Sequence, residues 1–139
     1  MAVYIGPVSK QAHEAAIEFL FGSVENYRNS PELKHVISRA QECEDLINGI
    51  ERFYDEAYKK VSWFFPYRKL QIHFSRQIVG RVLCGNLRHM KVCYLAQRGL
   101  PAKVIIRHID TQFDEVIAPY KKLIEAVREK YLDDNTSAE

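Results

Sequence analysis

Chemistry in this sequence concentrates between Glu56 and Asp110, a stretch with no acidic side chain and eleven cations: Lys59, Lys60, Arg68, Lys69, Arg76, Arg81, Arg88, Lys91, Arg98, Lys103 and Arg107. Clustered charge of one sign suits polyanion binding, because each phosphate neutralised releases condensed counterions and adds affinity independent of base sequence. His73, His89 and His108 share the window and would add charge below neutral pH. The whole chain is nearly balanced, with 20 basic against 18 acidic residues, so the signal lies in placement and not in net charge. The carboxylates gather upstream at Glu42, Glu44, Asp45, Glu51, Asp55 and Glu56, either as a solvated face or as the partner of the basic run.

Two smaller groups are chemically suggestive. Trp63, Phe64, Phe65 and Tyr67 are bracketed by Lys59-Lys60 and Arg68-Lys69. Exposed, such rings stack on unpaired bases or enter a lipid interface while the cations hold the anionic groups. Buried, they plug one end of a core, which is the expectation because large aromatics dominate interiors. Cys84, His89 and Cys93 invite a metal reading, but on a helix Cys84 points away from the other two, and structural zinc wants four converging ligands. No metal or other cofactor is expected, and His89 is expected as a hydrogen-bonded core histidine.

The elements that position these residues are helical. Apolar spacing is helical wherever it is regular, and no alternating run bounded by turn residues argues for a sheet. The spacing predicts a first helix from Ser9, as N-cap, to Phe21, with Gly22 as its stop, followed by a polar connector at residues 26–29. Ser30-Pro31-Glu32 is an N-cap, a first-turn proline and a first-turn carboxylate. From there Leu33, Ile37, Ala40, Cys43, Ile47, Ile50, Tyr54, Ala57, Val61 and Phe64 predict one helix running to Phe65-Pro66. A third helix runs from about Tyr67 to Arg98 and stops at Gly99; a fourth runs from Pro101 to about Leu132 and kinks near Pro119. The result is an all-α fold: an elongated antiparallel bundle of three long helices plus a shorter N-terminal one, a single domain over residues 1–132 with a frayed tail at 133–139.

On a wheel at roughly 100° per residue, Lys69, His73, Arg76, Arg81, Arg88, Lys91 and Arg98 of the third helix share one arc, opposite Phe74, Ile78, Val79, Val82, Leu83, Met90, Val92, Cys93 and Tyr94. That arc either packs beside the acidic second helix or stays in water and follows a polyanion. Arginine predominates in it, which leans toward phosphate. Leu70, Cys84, Leu87 and Leu95 lie inside the same arc and need cover, which a second copy of the chain would give.

Arg68 and His73 are spaced as in the motif of HEPN-type ribonucleases, which the pair resembles; the resemblance implies an arginine and a histidine promoting RNA cleavage in a helical bundle. With ten Arg and five His in the chain, about one such pair arises by chance, and Arg28 with His35 is a second. Glycine-rich phosphate loops, nucleophile elbows and metalloprotease helices are absent. In size, helicity and charge the chain is similar to small subunits of CRISPR effector complexes and to accessory proteins of diversity-generating retroelements, with no shared motif to extend the likeness. Three cysteines on helices and no leader sequence suit a reducing, cytoplasmic setting with no membrane span. The functional expectation is a non-enzymatic accessory protein, oligomeric and part of a larger complex, that binds RNA or DNA through backbone phosphates without sequence specificity. Lys69, Arg76, Arg81, Arg88, Lys91, Arg98, Lys103 and Arg107 would carry the contacts. The competing expectation is a protein–protein module with no nucleic-acid binding.

Overall fold

A computed structural model of the chain describes residues 7–132, with side chains described from residue 10. Its helices are α1 (Pro7–Phe21), α2 (Val24–Arg28), α3 (Pro31–Lys60), α4 (Pro66–Ser75), α5 (Arg81–Ala96), α6 (Lys103–Ile117) and α7 (Lys121–Val127). A π turn, Arg76–Gly80, joins α4 to α5; a 3-10 turn, Ala118–Tyr120, joins α6 to α7; a second π turn, Arg128–Leu132, extends α7. The architecture is an all-helical bundle, with no strand among the described residues. No described helix is long and apolar enough to cross a membrane. The tail at 133–139 lies outside the described residues.

Helix boundaries follow from local chemistry. Ser30 Oγ accepts the Leu33 N–H at 3.3 Å and donates to the Tyr27 carbonyl at 2.7 Å, which starts α3 at Pro31. Gly22 stops α1 with φ +88°, a backbone conformation that glycine adopts without the steric cost of a Cβ. Several expected boundaries move, among them the start of the fourth helix, which is Lys103 and not Pro101, and the end of the third, which is Ala96 and not Arg98. Helix α1 begins at Pro7, so Ser9 lies in its first turn and does not cap it. The polar connector is itself the single turn α2, because Ser23 accepts the Asn26 N–H at 3.1 Å. Helix α3 stops at Lys60, short of Pro66: Val61 is extended, and the Phe65 N–H bonds back to the Ser62 carbonyl at 2.9 Å. Pro66 then opens α4. The predicted interruption at Pro119 is the 3-10 turn.

The core is a seam between α3 and α5. Val36, Ala40, Cys43, Ile47, Ile50 and Tyr54 are buried at steps of four and three, and so are Leu83, Leu87, Met90 and Tyr94 across from them. Such alternation is the heptad pattern of helices that cross at a shallow angle. Ile106, Ile109 and Phe113 of α6 and Ile124 and Val127 of α7 complete it. At Gly49 the backbones come close enough that a Cβ would meet Val127 Cγ1 at 2.5 Å.

The burial of the third rod, made of α4, the π turn and α5 (residues 66–96), differs from the wheel. Its interior edge holds Cys84 and Leu87, which fall inside the predicted basic arc, while Phe74, Ile78, Val82 and Val92, assigned to the apolar half, are exposed. The rod is apolar on two sides, and packing against α3 selects the side flanked by cations. Long cationic side chains can lie along such a seam and reach out to carboxylates beyond it. Cys84 and Leu87 are therefore covered by α3 of the same chain and Leu95 is half-buried against the core, while Leu70 remains exposed.

Candidate functional site

Antiparallel packing sets the acidic row of α3 beside the basic edge of the third rod, so falling positions in one meet rising positions in the other. Asp55 takes a hydrogen bond from Arg76, Glu51 from Arg88 at 3.0 Å, and Glu44 from Lys91 at 2.8 Å. Further along, Lys103 lies 3.4 Å from Glu32. Lys91 holds the Glu44 carboxyl below the usual range by hydrogen bonding and charge. Lys69 donates to the Tyr58 carbonyl at 2.9 Å and sits 4.1 Å from the centre of that ring, which neutralises the C-terminal end of α3. Of the eight predicted phosphate contacts, these five are engaged within the chain. Arg81, Arg98 and Arg107 are exposed, with no partner among the described residues.

The aromatic corner is open. Trp63 is 74% exposed, Phe64 71%, Phe65 55% and Tyr67 80%, which overturns the expected plug: α3 ends before these residues, so the connection carries them past the end of the α3–α5 seam. Trp63 and Phe64 stack on each other, centroids 4.1 Å apart and planes 23° from parallel. Around them Lys59, Lys60 and Arg68 are exposed, with the Arg68 guanidinium 5.6 Å from the Phe65 ring centre. Leu70, Phe74, Ile78 and Val82 continue from the corner as an exposed apolar ridge along the outer side of the rod.

At the π turn a cleft of about 440 Å³ opens between α3 and the third rod and gathers Arg76, Arg81 and Arg88 with His73 and Gln77. Thus three predicted contacts converge, while Arg98 borders a separate hollow against α1, and Lys103 and Arg107 another against the start of α3.

The remaining candidates have structural settings. Cys84 is buried against α3, where desolvation pushes its thiol up to about 11. His89 is exposed, not a core histidine; its Nε2 lies 3.6 Å from Sγ of the half-buried Cys93. Arg68 belongs to the corner and His73 to the cleft, and Arg28 is exposed. His35 bonds to both Asp110 oxygens, at 2.9 and 3.1 Å, and the fully buried Tyr94 donates to Asp110 at 2.5 Å. Burial and that carboxylate push the Tyr94 hydroxyl well above its ordinary value. This network ties α3, α5 and α6 together, and sequence reasoning missed it because its members stand far apart in the chain and share no motif. The spacing Leu83, Leu87, Met90 and Tyr94 is helical, but so is the exposed Phe74, Ile78 and Val82, so spacing alone offers two inner edges for the rod. Compared with family models, curated proteins and solved structures, the chain matches none, so its own geometry carries the functional reading.

Proposed function

We propose that this protein is a non-enzymatic binder of single-stranded nucleic acid, RNA or DNA, with bases stacking at the Trp63–Tyr67 corner and phosphates met by Lys59, Lys60 and Arg68. The observation that carries this reading is the exposure of four aromatic rings in a segment that has cations on both sides and no carboxylate between Glu56 and Asp110. Stacking on an open ring is tolerant of sequence, because every base has a flat face. Arg81, Arg98 and Arg107, which have no partner among the described residues, add long-range attraction, while the ion-paired members of the predicted stripe contribute less.

Trp63 is the only tryptophan, so its emission reports on this corner directly. Titration with a single-stranded oligonucleotide should quench it, and Trp63→Ala or Tyr67→Ala should weaken binding about 5- to 150-fold, the loss of one stacked base. Emission that ignores single strands but shifts with anionic vesicles would replace this reading with a lipid one. A second reading, docking of a protein partner or of another copy, is favoured by the exposed ridge Leu70–Phe74–Ile78–Val82; Ile78→Glu should abolish such docking and leave oligonucleotide binding in place.

A further inference from the structure

The cleft at the π turn is a site of a different kind from the aromatic corner. Its inner wall is apolar, with Ile50 and Cys84 buried and the Tyr54 ring against Gly80, where an added Cβ would come within 3.2 Å of Tyr54 Cε2. The Tyr54 hydroxyl is used by Ser75 at 2.9 Å, which fixes the ring at the turn. The rim carries three guanidinium groups and one carboxylate, Glu51, and Asp55 pairs with Arg76 from beside it, so one positive charge is in excess.

The π turn helps to bring those groups together. Its defining bond runs from the Arg81 N–H to the Arg76 carbonyl, five residues back. In α geometry residues five apart diverge by roughly 140°, and the wider π turn narrows that divergence. The wide turn therefore places Arg76 and Arg81 on one side, and Arg88 follows two α-turns later. Each guanidinium has five N–H donors. Arg76 spends one on Asp55, Arg88 spends one on Glu51, and Arg81 spends none among the described residues. The two carboxylates hold their arginines in place without exhausting them. The excess charge and the spare donors are those of an oxyanion site, and the guanidinium fork suits phosphate. At about 440 Å³ the cleft falls within the size range of small-ligand pockets.

We propose that this cleft binds the phosphate group of a small phosphorylated ligand of mononucleotide size, with Arg81 as the anchoring cation and Arg76 and Arg88 as pre-positioned donors. The site is independent of the aromatic corner. Calorimetric titration of the full chain at low salt, with adenosine 5′-monophosphate and with pyrophosphate as probes, tests it. One-to-one binding is expected, weakened about tenfold by Arg81→Ala, which removes a charge-assisted partner. Arg107→Ala, an exposed cation outside the cleft, and Trp63→Ala should leave it unchanged, whereas Trp63→Ala should still weaken oligonucleotide binding. Absence of heat at millimolar probe, or equal weakening by Arg81→Ala and Arg107→Ala, overturns the site. If single strands bind and both small probes do not, the cleft proposal fails while the corner reading stands.

Discussion

Neutralising the acidic row of α3 separates the structural role of its ion pairs from phosphate binding. The perturbation is Glu44→Gln, Glu51→Gln and Asp55→Asn in one chain, which keeps side-chain volume and removes the partners of Lys91, Arg88 and Arg76. These side chains are 34% to 57% exposed, so solvent screens each pair and its contribution to stability is about 0.2–1 kcal/mol. Loss of all three should cost no more than about 3 kcal/mol, read as a lower urea midpoint with unchanged slope. Binding should move the other way. Each freed cation that meets a phosphate steepens the dependence of log affinity on log salt by about 0.7 for a single strand, or about 2 for the three. The assay is Trp63 quenching by a single-stranded oligonucleotide across a salt series, beside a urea titration of the same samples. A variant that stays folded and binds with the wild-type salt slope would refute the reasoning, since it would show that these cations do not reach phosphate even when released.

Other consequences are more local. Gly49→Ala gains about 1 kcal/mol of helix propensity but drives a methyl to 2.5 Å from the fully buried Val127. Overpacking costs about 1–3 kcal/mol, so thermal unfolding should show a net loss, partly relieved by Val127→Ala in the same chain. The Tyr131 hydroxyl at 2.5 Å and the Lys130 ammonium at 2.9 Å hold the Glu56 carboxyl down to about 2. Because that folded value lies below the ordinary one, near ~4.3, the stabilisation is complete above it and is lost as pH falls toward 2. The stability gap between wild type and Glu56→Gln should therefore shrink on acidification across that window. Burial pushes the Cys43 thiol up to about 12 and Cys84 up to about 11, whereas Cys93 is only half-buried, at the edge of the core beside the exposed His89. An aromatic disulfide reagent should accordingly titrate one thiol in the native protein and all three in denaturant.

Much of the helical architecture was legible in the residue order. Ser30-Pro31-Glu32, Gly22 and Pro119 act on their own few neighbours, through caps, backbone freedom and a missing donor, and the structure places a start, a stop and a break where they stand. The steps Ala40, Cys43, Ile47, Ile50 and Tyr54 equally mark the buried side of α3, although Ile37, named as core, is exposed and Val36 takes the interior position. Charge placement was legible too, as an acid-rich segment followed by an acid-free one.

What the linear order left open was the pairing. The third rod has two apolar sectors, and only its contact with α3 decides that Cys84 and Leu87 face inward while Phe74, Ile78 and Val82 face water. The same contact turns Arg76, Arg88 and Lys91 toward carboxylates twenty-one to forty-seven positions away. The open aromatic corner arises because α3 ends at Lys60 and the rings lie past the end of the seam, and the arginine cleft opens where the wider π turn at Arg76–Gly80 meets α3. Local rules determine which residues become helix, since they act over a turn or two; which side of a helix is spent on a neighbour depends on groups distant in the chain, and only the tertiary structure brings those together.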